Sequence, residues 1–496
     1  MKQHLSTLGK QTLIYGAGGT ALQAVGLVTL PVFARVFTPA QYGVLEVITI
    51  GLAATLLVVD LGLASSSQRS YFDYGEESPG ERRSVIATAI VTAAAASVLA
   101  AVAVLVFRDP LSKWLLAGQS YTTLVALAAV SIPLTVLASL LRQVMRLHFR
   151  AWHFSASASL SAVVTGGVGV ALVLWTDAEL NGVLIGIVAG NAVALAYGIA
   201  VVGKDAIGSL SASKLRTMLA FGVPLIPAAA ALWGITFLDR VMLSRLADLA
   251  DVGEYAVAAR FATVVMLGVT AFGLAFSPFL LSLWSETPEL ERRVRSRVLT
   301  YLSVLLAFAS LALALFAREL LTIVAPNFTS AYQLVGILCL GVTFYGIANV
   351  VMTGFVLVRR TGLIAAYSLA AVAVNVLLTV LLIPPLAGLG AALAAAAGYG
   401  TLAAAYYLKA QRLYPTPYVP WKTGVVLLAA AALMPLGLLP LGVWAVALKL
   451  GGLGVFAAVL LLAGVIERPE LEELVGMVRR ALALPRKALS GTAGGT

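Results

Sequence analysis

The sequence predicts an all-α integral membrane protein, with about 14 transmembrane helices in two six-helix pseudo-repeats plus two C-terminal helices. The first observation behind this prediction is composition. Apolar residues make up 60% of the 496 residues and charged residues 11%, against about 45–50% and about 25% in soluble proteins. A soluble fold of this size would expose much of that apolar surface to water. The other two observations are the lengths of the apolar runs and the distribution of charge between them.

The predicted spans follow from the apolar runs, because a helix that crosses a bilayer needs about 20 mostly apolar residues. The last two spans are the weakest, since Pro435, Pro440 and Lys449 interrupt one long apolar stretch. The runs are continuous and rich in Ala and Leu, which argues against the alternating strands of a membrane β-barrel. The fourteen candidates are residues 11–34, 41–64, 84–107, 120–141, 155–176, 181–203, 217–243, 252–283, 298–317, 330–358, 362–384, 388–408, 422–440 and 443–466.

The positive charge alternates from one connection to the next. With a cytoplasmic N-terminus, the cytoplasmic segments hold 25 of the 33 Lys and Arg residues and the opposite side holds six. The positive-inside rule produces this asymmetry when the number of spans is even and both termini are cytoplasmic. The net charge of +11 is therefore interpreted as a topology signal, and no nucleic-acid partner is expected.

An internal repeat links the two halves of the chain. The segments LPVFARVFTPAQYGVLEVI, at 30–48, and TFLDRVMLSRLADLADVGEYAVAARFA, at 236–262, each place an arginine near a helix end, then a short loop and a Gly/Tyr pair. This alignment pairs Arg35 with Arg240 and Tyr42 with Tyr255, with a longer second loop. Parallel repeats of this kind are a transporter architecture, in which the binding site lies between the halves.

The repeat and the spans predict four regions. These are an N-terminal six-helix bundle at 1–210, a second bundle at 211–412, helices 13 and 14 at 413–466, and a cytoplasmic tail at 467–496. Within the tail, residues 470–487 have the spacing of a short interfacial helix. A solvated tail explains this segment equally well.

Charges inside predicted spans are costly, at about 2.5–3.5 kcal/mol on insertion scales, so they indicate function. We predict that Arg35, Arg240 and Arg260 line a water-filled, net cationic cavity that holds an anionic substrate. The alternative is that Arg35 and Arg240 extend to the outer interface. Three acidic residues are candidates for ion coupling: Glu46, Asp60 and Asp239. For Glu46 and Asp60, a structural ion pair is favoured over ion coupling.

Two further sets of arginines lie at predicted cytoplasmic helix ends. Arg142, Arg146 and Arg150 form one stripe at helical spacing, and Arg69 ends the second span. Each set could bind a lipid pyrophosphate. Positive-inside anchoring explains the stripe at least as well, so Arg69 and Arg146 are candidate substrate-binding residues with a structural alternative.

The sequence offers little for catalysis or metal binding. It has one cysteine, Cys339, and three histidines, which excludes a disulfide framework and a cysteine-based zinc site. No GxxxxGK[ST] motif is present, so ATP hydrolysis by this chain is not expected. We therefore expect no enzymatic activity, no catalytic residues, no metal and no cofactor.

Three segments resemble the polysaccharide (O-antigen type) flippases of the multidrug/oligosaccharidyl-lipid/polysaccharide exporter superfamily. The first two are the helix 1–2 segment at 30–48 and FGVPLIPAAAALWGITFLDRVMLSRLADLADVGEYAVAARF, at 221–261. The third is RRTGLIAAYSLAAVAVNVLLTVLLIPPLAGLGAALAAAAGY, at 359–399. The resemblance covers about residues 8–412. One departure is Phe37-Thr38-Pro39, where the family motif usually has leucine-glycine-proline.

The resemblance implies two six-helix bundles around a central cavity in a bacterial or archaeal cytoplasmic membrane. It implies export of undecaprenyl-pyrophosphate-linked oligosaccharide by alternating access, with cavity arginines on the pyrophosphate or on acidic sugars and a cation gradient as an energy source. Arg35 and Arg240 fall on motif positions, and Arg260 matches less securely. The implied partners are the lipid-linked glycan, membrane lipids, and the glycan polymerase and glycosyltransferases of the same pathway.

Three other functions remain open. One is a cation-coupled drug or metabolite exporter of the same superfamily, and another is a flippase for the peptidoglycan precursor lipid II. The third is a membrane glycan polymerase or ligase. The short predicted outer connections argue against that enzyme, because such enzymes usually carry a sizeable extracytoplasmic loop.

Overall fold

The computed structural model describes residues 25–75, 77–116, 118–358, 360 and 362–465. Throughout these ranges the fold is helical, with no strand, and eleven helices are long and apolar enough to cross a membrane. The predicted all-α membrane fold is therefore confirmed, whereas the count of fourteen spans is not. Two predictions fall outside the described residues: the first part of span 1, and the cytoplasmic tail at 467–496 with its interfacial helix at 470–487.

Eight helices form the first half of the chain. A break at Leu61 and Gly62, both with positive φ, separates α2 from α3, and glycine favours that backbone region. Pro133 lies inside α6. The bounds are α1 Val25–Val36, α2 Pro39–Val59, α3 Leu63–Phe72, α4 Pro79–Val106, α5 Arg108–Leu115, α6 Thr122–Leu147, α7 Ala151–Trp175 and α8 Glu179–Val202.

Eight further helices form the rest. α14 contains Pro384 and Pro385 and a break at Ala387, where φ is 46°, so it comprises two helices end to end. Short 3₁₀ turns lie at 203–206, 223–225, 326–331 and 434–438. The bounds are α9 Ala212–Gly222, α10 Ile226–Leu246, α11 Leu249–Glu286, α12 Pro288–Val324, α13 Tyr332–Leu357, α14 Gly362–Leu413, α15 Pro420–Leu433 and α16 Val443–Leu462.

The helix bounds reveal the register of the internal repeat. Helix α6 (122–147) and helix α13 (332–357) have the same length and lie 210 residues apart at both ends. The starts of α2 and α11 differ by the same 210 residues, as do the ends of α1 and α10. An ungapped shift of 210 therefore relates the two halves.

This register corrects the pairing predicted from the sequence. Arg35 precedes the last residue of α1, and the residue in that position of α10 is Arg245 rather than Arg240. The loops between the paired helices have equal length, so the longer second loop of the sequence alignment is wrong. The local chemistry agrees, because Thr38 and Asp248 occupy the same N-cap position of α2 and α11.

The two halves meet where α2 crosses α11, and we call this crossing the α2–α11 seam. A Cβ atom added at Gly43 would lie 1.9 Å from the carbonyl oxygen of Leu249, and one added at Gly253 would lie 1.9 Å from that of Pro39. These two contacts exchange under the 210-residue shift. Only glycine lets the backbones approach this closely, which is typical of tightly packed membrane helices.

Candidate functional site

A cavity of about 450 Å³ lies between the two halves, and we call it the central cavity. Its walls come from α1 and α2 on one side and from α10, α11, α13 and α14 on the other. Most lining side chains are apolar. The polar and charged ones are Glu46, Thr49, Thr236, Asp239, Arg240, Tyr255, Arg260, Thr263 and Tyr399.

One carboxylate from the first half pairs with two arginines from the second. Glu46 Oε1 lies 3.4 Å from Arg240 Nε, and Glu46 Oε2 lies 3.6 Å from Arg260 Nη2. The Glu46 and Arg240 side chains are only 10% and 11% exposed, whereas Arg260 is 39% exposed. Arg240 and Arg260 are therefore brought together as predicted, and Glu46 bridges them across the interface between the halves.

Asp239 is held separately from this bridge. The Tyr255 hydroxyl donates a hydrogen bond to Asp239 Oδ2, and the backbone N–H of Arg240 donates to Oδ1 at 2.8 Å. The Arg240 guanidinium lies over the Tyr255 ring, 5.3 Å from its centroid. A carboxylate in a low-dielectric interior needs such donors, so Tyr255 fixes Asp239 and supports Arg240 at once.

The lining charges balance, which corrects the prediction of a net cationic cavity. Arg240 and Arg260 face Glu46 and Asp239 in the same lining. The physical reason is the cost of placing an unpaired charge inside a membrane. A cavity lined by two uncompensated guanidinium groups would be unstable when empty, and the two carboxylates remove that cost.

The contacts to Glu46 are loose. Charge-assisted N–H···O hydrogen bonds are usually about 2.7–2.9 Å long, and the two ion pairs are 3.4 and 3.6 Å. Arg240 Nε is buried and makes no hydrogen bond, while Nη1 donates to the backbone oxygen of Thr236 at 3.2 Å. The arginines therefore retain donor capacity that a better-placed anion could use.

A second cavity, of about 440 Å³, lies next to the central cavity, further along helices α11 and α13. Met266 and Val342 line the central cavity, and Val269 and Tyr345, one helical turn further along α11 and α13, line the second. Its lining is largely apolar and includes Phe272, which stacks on Phe276 with a centroid distance of 4.8 Å. A charged chamber thus precedes an apolar one.

Arg35 lies in the last turn of α1, just before α2, and does not line either cavity. Its side chain is exposed, and Nη2 donates to the backbone oxygen of Ile323 on α12 at 2.7 Å. Asn327 donates in turn to the backbone oxygen of Arg35 at 3.2 Å. The prediction that Arg35 lines the cavity is therefore wrong, because its side chain makes a surface contact with the second half. Its predicted role in substrate binding stays a prediction.

The other candidate residues lie at helix ends. Arg69 is exposed, with its guanidinium 4.6 Å from the ring centroid of Phe221. Arg146 is exposed near the end of α6, donates to Gln143, and lies 5.4 Å from the ring centroid of Phe154. Their predicted contact with substrate is not tested by these positions.

Asp60 sits at the break between α2 and α3 and accepts backbone hydrogen bonds from Gly62 and Ala64. These bonds satisfy donors at the start of α3, which is the usual role of an acidic residue before a helix. The structural interpretation of Asp60 accounts for its position. Ion coupling through Asp60 remains a prediction.

Sequence reasoning missed the role of Tyr255. The sequence marked it only as a repeat match to Tyr42, whereas in the 210-residue register its counterpart is Leu45. The sequence places it five residues before Arg260, a spacing that does not put the two side chains on one helix face. Its contact with Asp239 joins two different helices, and a single sequence does not reveal such a contact.

Comparison with known proteins agrees with this architecture. The profile of the family described as "Polysaccharide biosynthesis protein" matches residues 8–284, which is more than half of the chain. No curated protein matches the sequence significantly. The profile covers α1, α2, α10 and most of α11, and therefore all four charged residues of the central cavity.

Solved structures share the fold. The lipid II flippase MurJ in an inward closed conformation superposes with a TM-score of 0.72 at 12% identity, covering 90% of this chain and 98% of that one. An inward-facing multidrug resistance MATE family transporter of the MOP superfamily gives 0.60 at 12% identity, covering 79% and 94%. The bent form of the Vibrio cholerae MATE transporter VcmN gives 0.55 at 16% identity, covering 82% and 96%. Together with the profile match, these observations identify the chain as a multi-pass membrane protein of the polysaccharide biosynthesis protein family, with the fold of flippases and transporters.

Proposed function

We propose that the protein is a flippase that moves polyprenyl-pyrophosphate-linked oligosaccharide across the cytoplasmic membrane by alternating access, for the synthesis of a cell-surface polysaccharide. The observation that carries the proposal is the bridge of Arg240 and Arg260 to the single carboxylate of Glu46. The family and the fold support a lipid-linked flippase or transporter in general. The ion pairs of Glu46 with Arg240 and Arg260 are what favours a pyrophosphate-linked substrate in particular.

A pyrophosphate suits the two arginines better than Glu46 does. Two adjacent phosphate groups offer more acceptor oxygens and more charge than one carboxylate, and arginine binds phosphate in bidentate geometry. The contacts to Glu46 are long, and Arg240 Nε lacks a hydrogen bond. The substrate anion would therefore replace Glu46 as the partner of both arginines.

The two successive cavities suit an amphiphile. The pyrophosphate would occupy the central cavity, and part of the apolar chain would occupy the cavity lined by Phe272 and Phe276. Apolar burial is favourable at about 25 cal/mol per Å². A free hydrophilic solute would gain nothing from this second chamber.

The α2–α11 seam supplies the moving contact. Gly43 and Gly253 pack backbone against backbone, and the Tyr42 ring meets the Phe328 ring edge-on across the same interface, so opening the halves means separating these contacts. With both termini in the cytoplasm, this seam closes the extracytoplasmic side. Substrate binding changes the charge shared between the halves, which biases the equilibrium between closed and open states.

Reconstitution into liposomes tests the proposal. A fluorescent polyprenyl-pyrophosphate oligosaccharide is incorporated, and its transfer between leaflets is followed by reduction of the dye on the outer side. The unsubstituted protein is expected to accelerate transfer, and R240Q and R260Q are each expected to slow it at least tenfold, since lost charge-assisted contacts are worth about 1.5–3 kcal/mol.

The matched control is R245Q, which removes the same charge from the last turn of the same helix. Arg245 is exposed and lies over the Trp114 ring, 4.6 Å from its centroid. Transfer by R240Q and R260Q at the rate of R245Q would contradict the proposal. So would equal acceleration for a polyprenyl alcohol that carries no phosphate.

A cation-coupled exporter of drugs or metabolites is the second candidate, and one observation favours it. Asp239 is 4% exposed, lines the central cavity and is held by Tyr255, as an ion-binding carboxylate would be. Drug efflux that depends on a Na⁺ or H⁺ gradient and is lost in D239N would support this candidate. A probe set that includes lipid II separates the related lipid II flippase from the proposed function.

A further inference from the structure

A basic pocket lies apart from both cavities, at the beginning of α12 and α15. It has a volume of about 250 Å³ and shares no lining residue with the central cavity. Arg293 and Arg297 from α12 and Lys422 from α15 line it, together with hydroxyl groups and the loop residue Pro417. Among the residues that the structure describes, no acidic one lines this pocket.

The neighbouring arginines show what the pocket cations lack. Arg295 is 1% exposed and pairs with Glu291 at 3.2 Å, and Arg292 lies 4.3 Å from the ring centroid of Tyr414. Burial beside this cluster raises the pKa of Tyr418 to about 12. The inward-facing Arg295 therefore has an acidic partner on its own helix, four residues away.

The pocket cations have no such partners within the described part of the chain. Arg293 and Arg297 form no ion pair there, and Lys422 Nζ meets no carboxylate: it donates to the backbone oxygen of Val465 at 3.5 Å and lies 5.9 Å from the ring centroid of Trp421. Three like charges that converge on a concave surface repel one another and concentrate anions. Cations that served only to anchor the helices would gain by spreading apart in water.

The depth of the pocket indicates the ligand. Helix α12 has 37 residues, or about 55 Å at 1.5 Å per residue, against about 30 Å for the hydrocarbon core. Its predicted apolar run begins at 298, directly after Arg297, and Lys422 is the third residue of α15. Trp421 beside it is 53% exposed, as in the aromatic belt at a membrane interface.

We propose that this pocket binds the phosphate group of an anionic membrane lipid. The three cations would contact the phosphate, whereas the hydroxyl group of Thr300 already donates to the backbone oxygen of Ser296. The floor is fixed in place, because the Ser296 hydroxyl already donates to the backbone oxygen of Pro417. The bound lipid would join α12 to α15, and so would attach the two C-terminal helices to the second half.

Native mass spectrometry of the detergent-solubilised full-length chain tests this site. The probes are phosphatidylglycerol, phosphatidylcholine and sodium phosphate, each added separately. Phosphatidylglycerol is expected to bind, and R293Q, R297Q and K422Q are each expected to weaken it about fivefold, given the typical contribution of one basic residue near an anionic surface. K422Q is the variant least able to disturb α12.

The control is the triple variant K204Q/R216Q/R412Q, which removes three exposed cations from other helix ends. It is expected to bind phosphatidylglycerol like the unsubstituted chain, whereas R293Q/R297Q/K422Q is not. Equal losses in the two triple variants would overturn the proposal, since only general attraction would remain. Phosphate binding as strong as that of the lipid would also overturn it, as would a gain of lipid binding in E467Q/E470Q, which would mean that the chain's own glutamates fill the pocket.

Discussion

The two halves of the molecule share a scaffold and divide its chemistry. Under the 210-residue shift, the helix starts at Thr38 and Asp248 correspond, and so do the glycines at the α2–α11 seam. The central cavity breaks this correspondence. None of its four charged residues has a charged counterpart in the other half. Asp239 and Arg240 correspond to Thr29 and Leu30, and Glu46 and Arg260 correspond to Ala256 and Ile50.

The difference teaches where function departs from symmetry. The residues that shape the two bundles repeat, whereas the acid comes from the first half and both cations come from the second. An asymmetric set can form a bridge across the interface, and a substrate that breaks the bridge acts on both halves together.

The glycines at the seam give the largest expected effect. G43L and G253L would each place a side chain where even a Cβ lies 1.9 Å from a carbonyl oxygen, so the helices must separate. We expect each variant to lose about 3 kcal/mol or more of stability and to lose leaflet transfer. Thermal unfolding in detergent measures the first effect. G451L on α16, where a Cβ meets nothing within 4 Å, is the control, and equal behaviour of all three variants would contradict the close crossing.

Tyr255 belongs to the second half alone, because its counterpart is Leu45. Y255F removes the hydroxyl donor of the buried Asp239, which should lower the free energy of unfolding by about 1–3 kcal/mol. The control is Y367F, which removes a tyrosine hydroxyl on α14 that forms no hydrogen bond with any residue the structure describes. If Y255F and Y367F melt at the same temperature, the hydrogen bond from Tyr255 to Asp239 does not stabilise the second half.

The helix starts should behave alike in both halves. The N–H of Thr38 donates to Gln41 Oε1 at 3.0 Å, and that of Asp248 donates to Asp251 Oδ2 at 3.3 Å. Q41A and D251A should each cost about 1 kcal/mol, measured by thermal unfolding. A cost confined to one variant would break the equivalence of the two starts.

Arg35 and Arg245 should give the smallest effects. They occupy equivalent positions, and each is exposed, one on the backbone of Ile323 and the other over Trp114. Exposed contacts of this kind contribute about 0–1 kcal/mol, so R35Q and R245Q should keep transfer and nearly all stability. A complete loss of transfer in R35Q alone would instead support substrate binding by Arg35.

Sequence reasoning predicted the membrane fold, a parallel repeat and two of the four charged residues that line the central cavity, Arg240 and Arg260. Apolar runs and intramembrane charges are local signals, and Arg240 and Arg260 stand out by them. The sequence alignment paired Arg35 with Arg240 by placing a gap in the loop. A single sequence cannot decide between that gap and a constant offset of 210 residues, whereas the observed helix ends can. Sequence reasoning also took the cavity as net cationic, since the pairing of Glu46 with both arginines depends on how two distant segments meet.

The most direct test is the affinity for a short-chain polyprenyl pyrophosphate in E46Q, with R260Q and the unsubstituted protein alongside. If Glu46 is the counter-ion that the substrate replaces, E46Q removes a competitor and leaves both arginines free. The account predicts that E46Q binds the pyrophosphate several-fold more tightly than the unsubstituted protein and that R260Q binds it more weakly, with thermal unfolding confirming that all three are folded. Weaker binding by a folded E46Q would contradict the account.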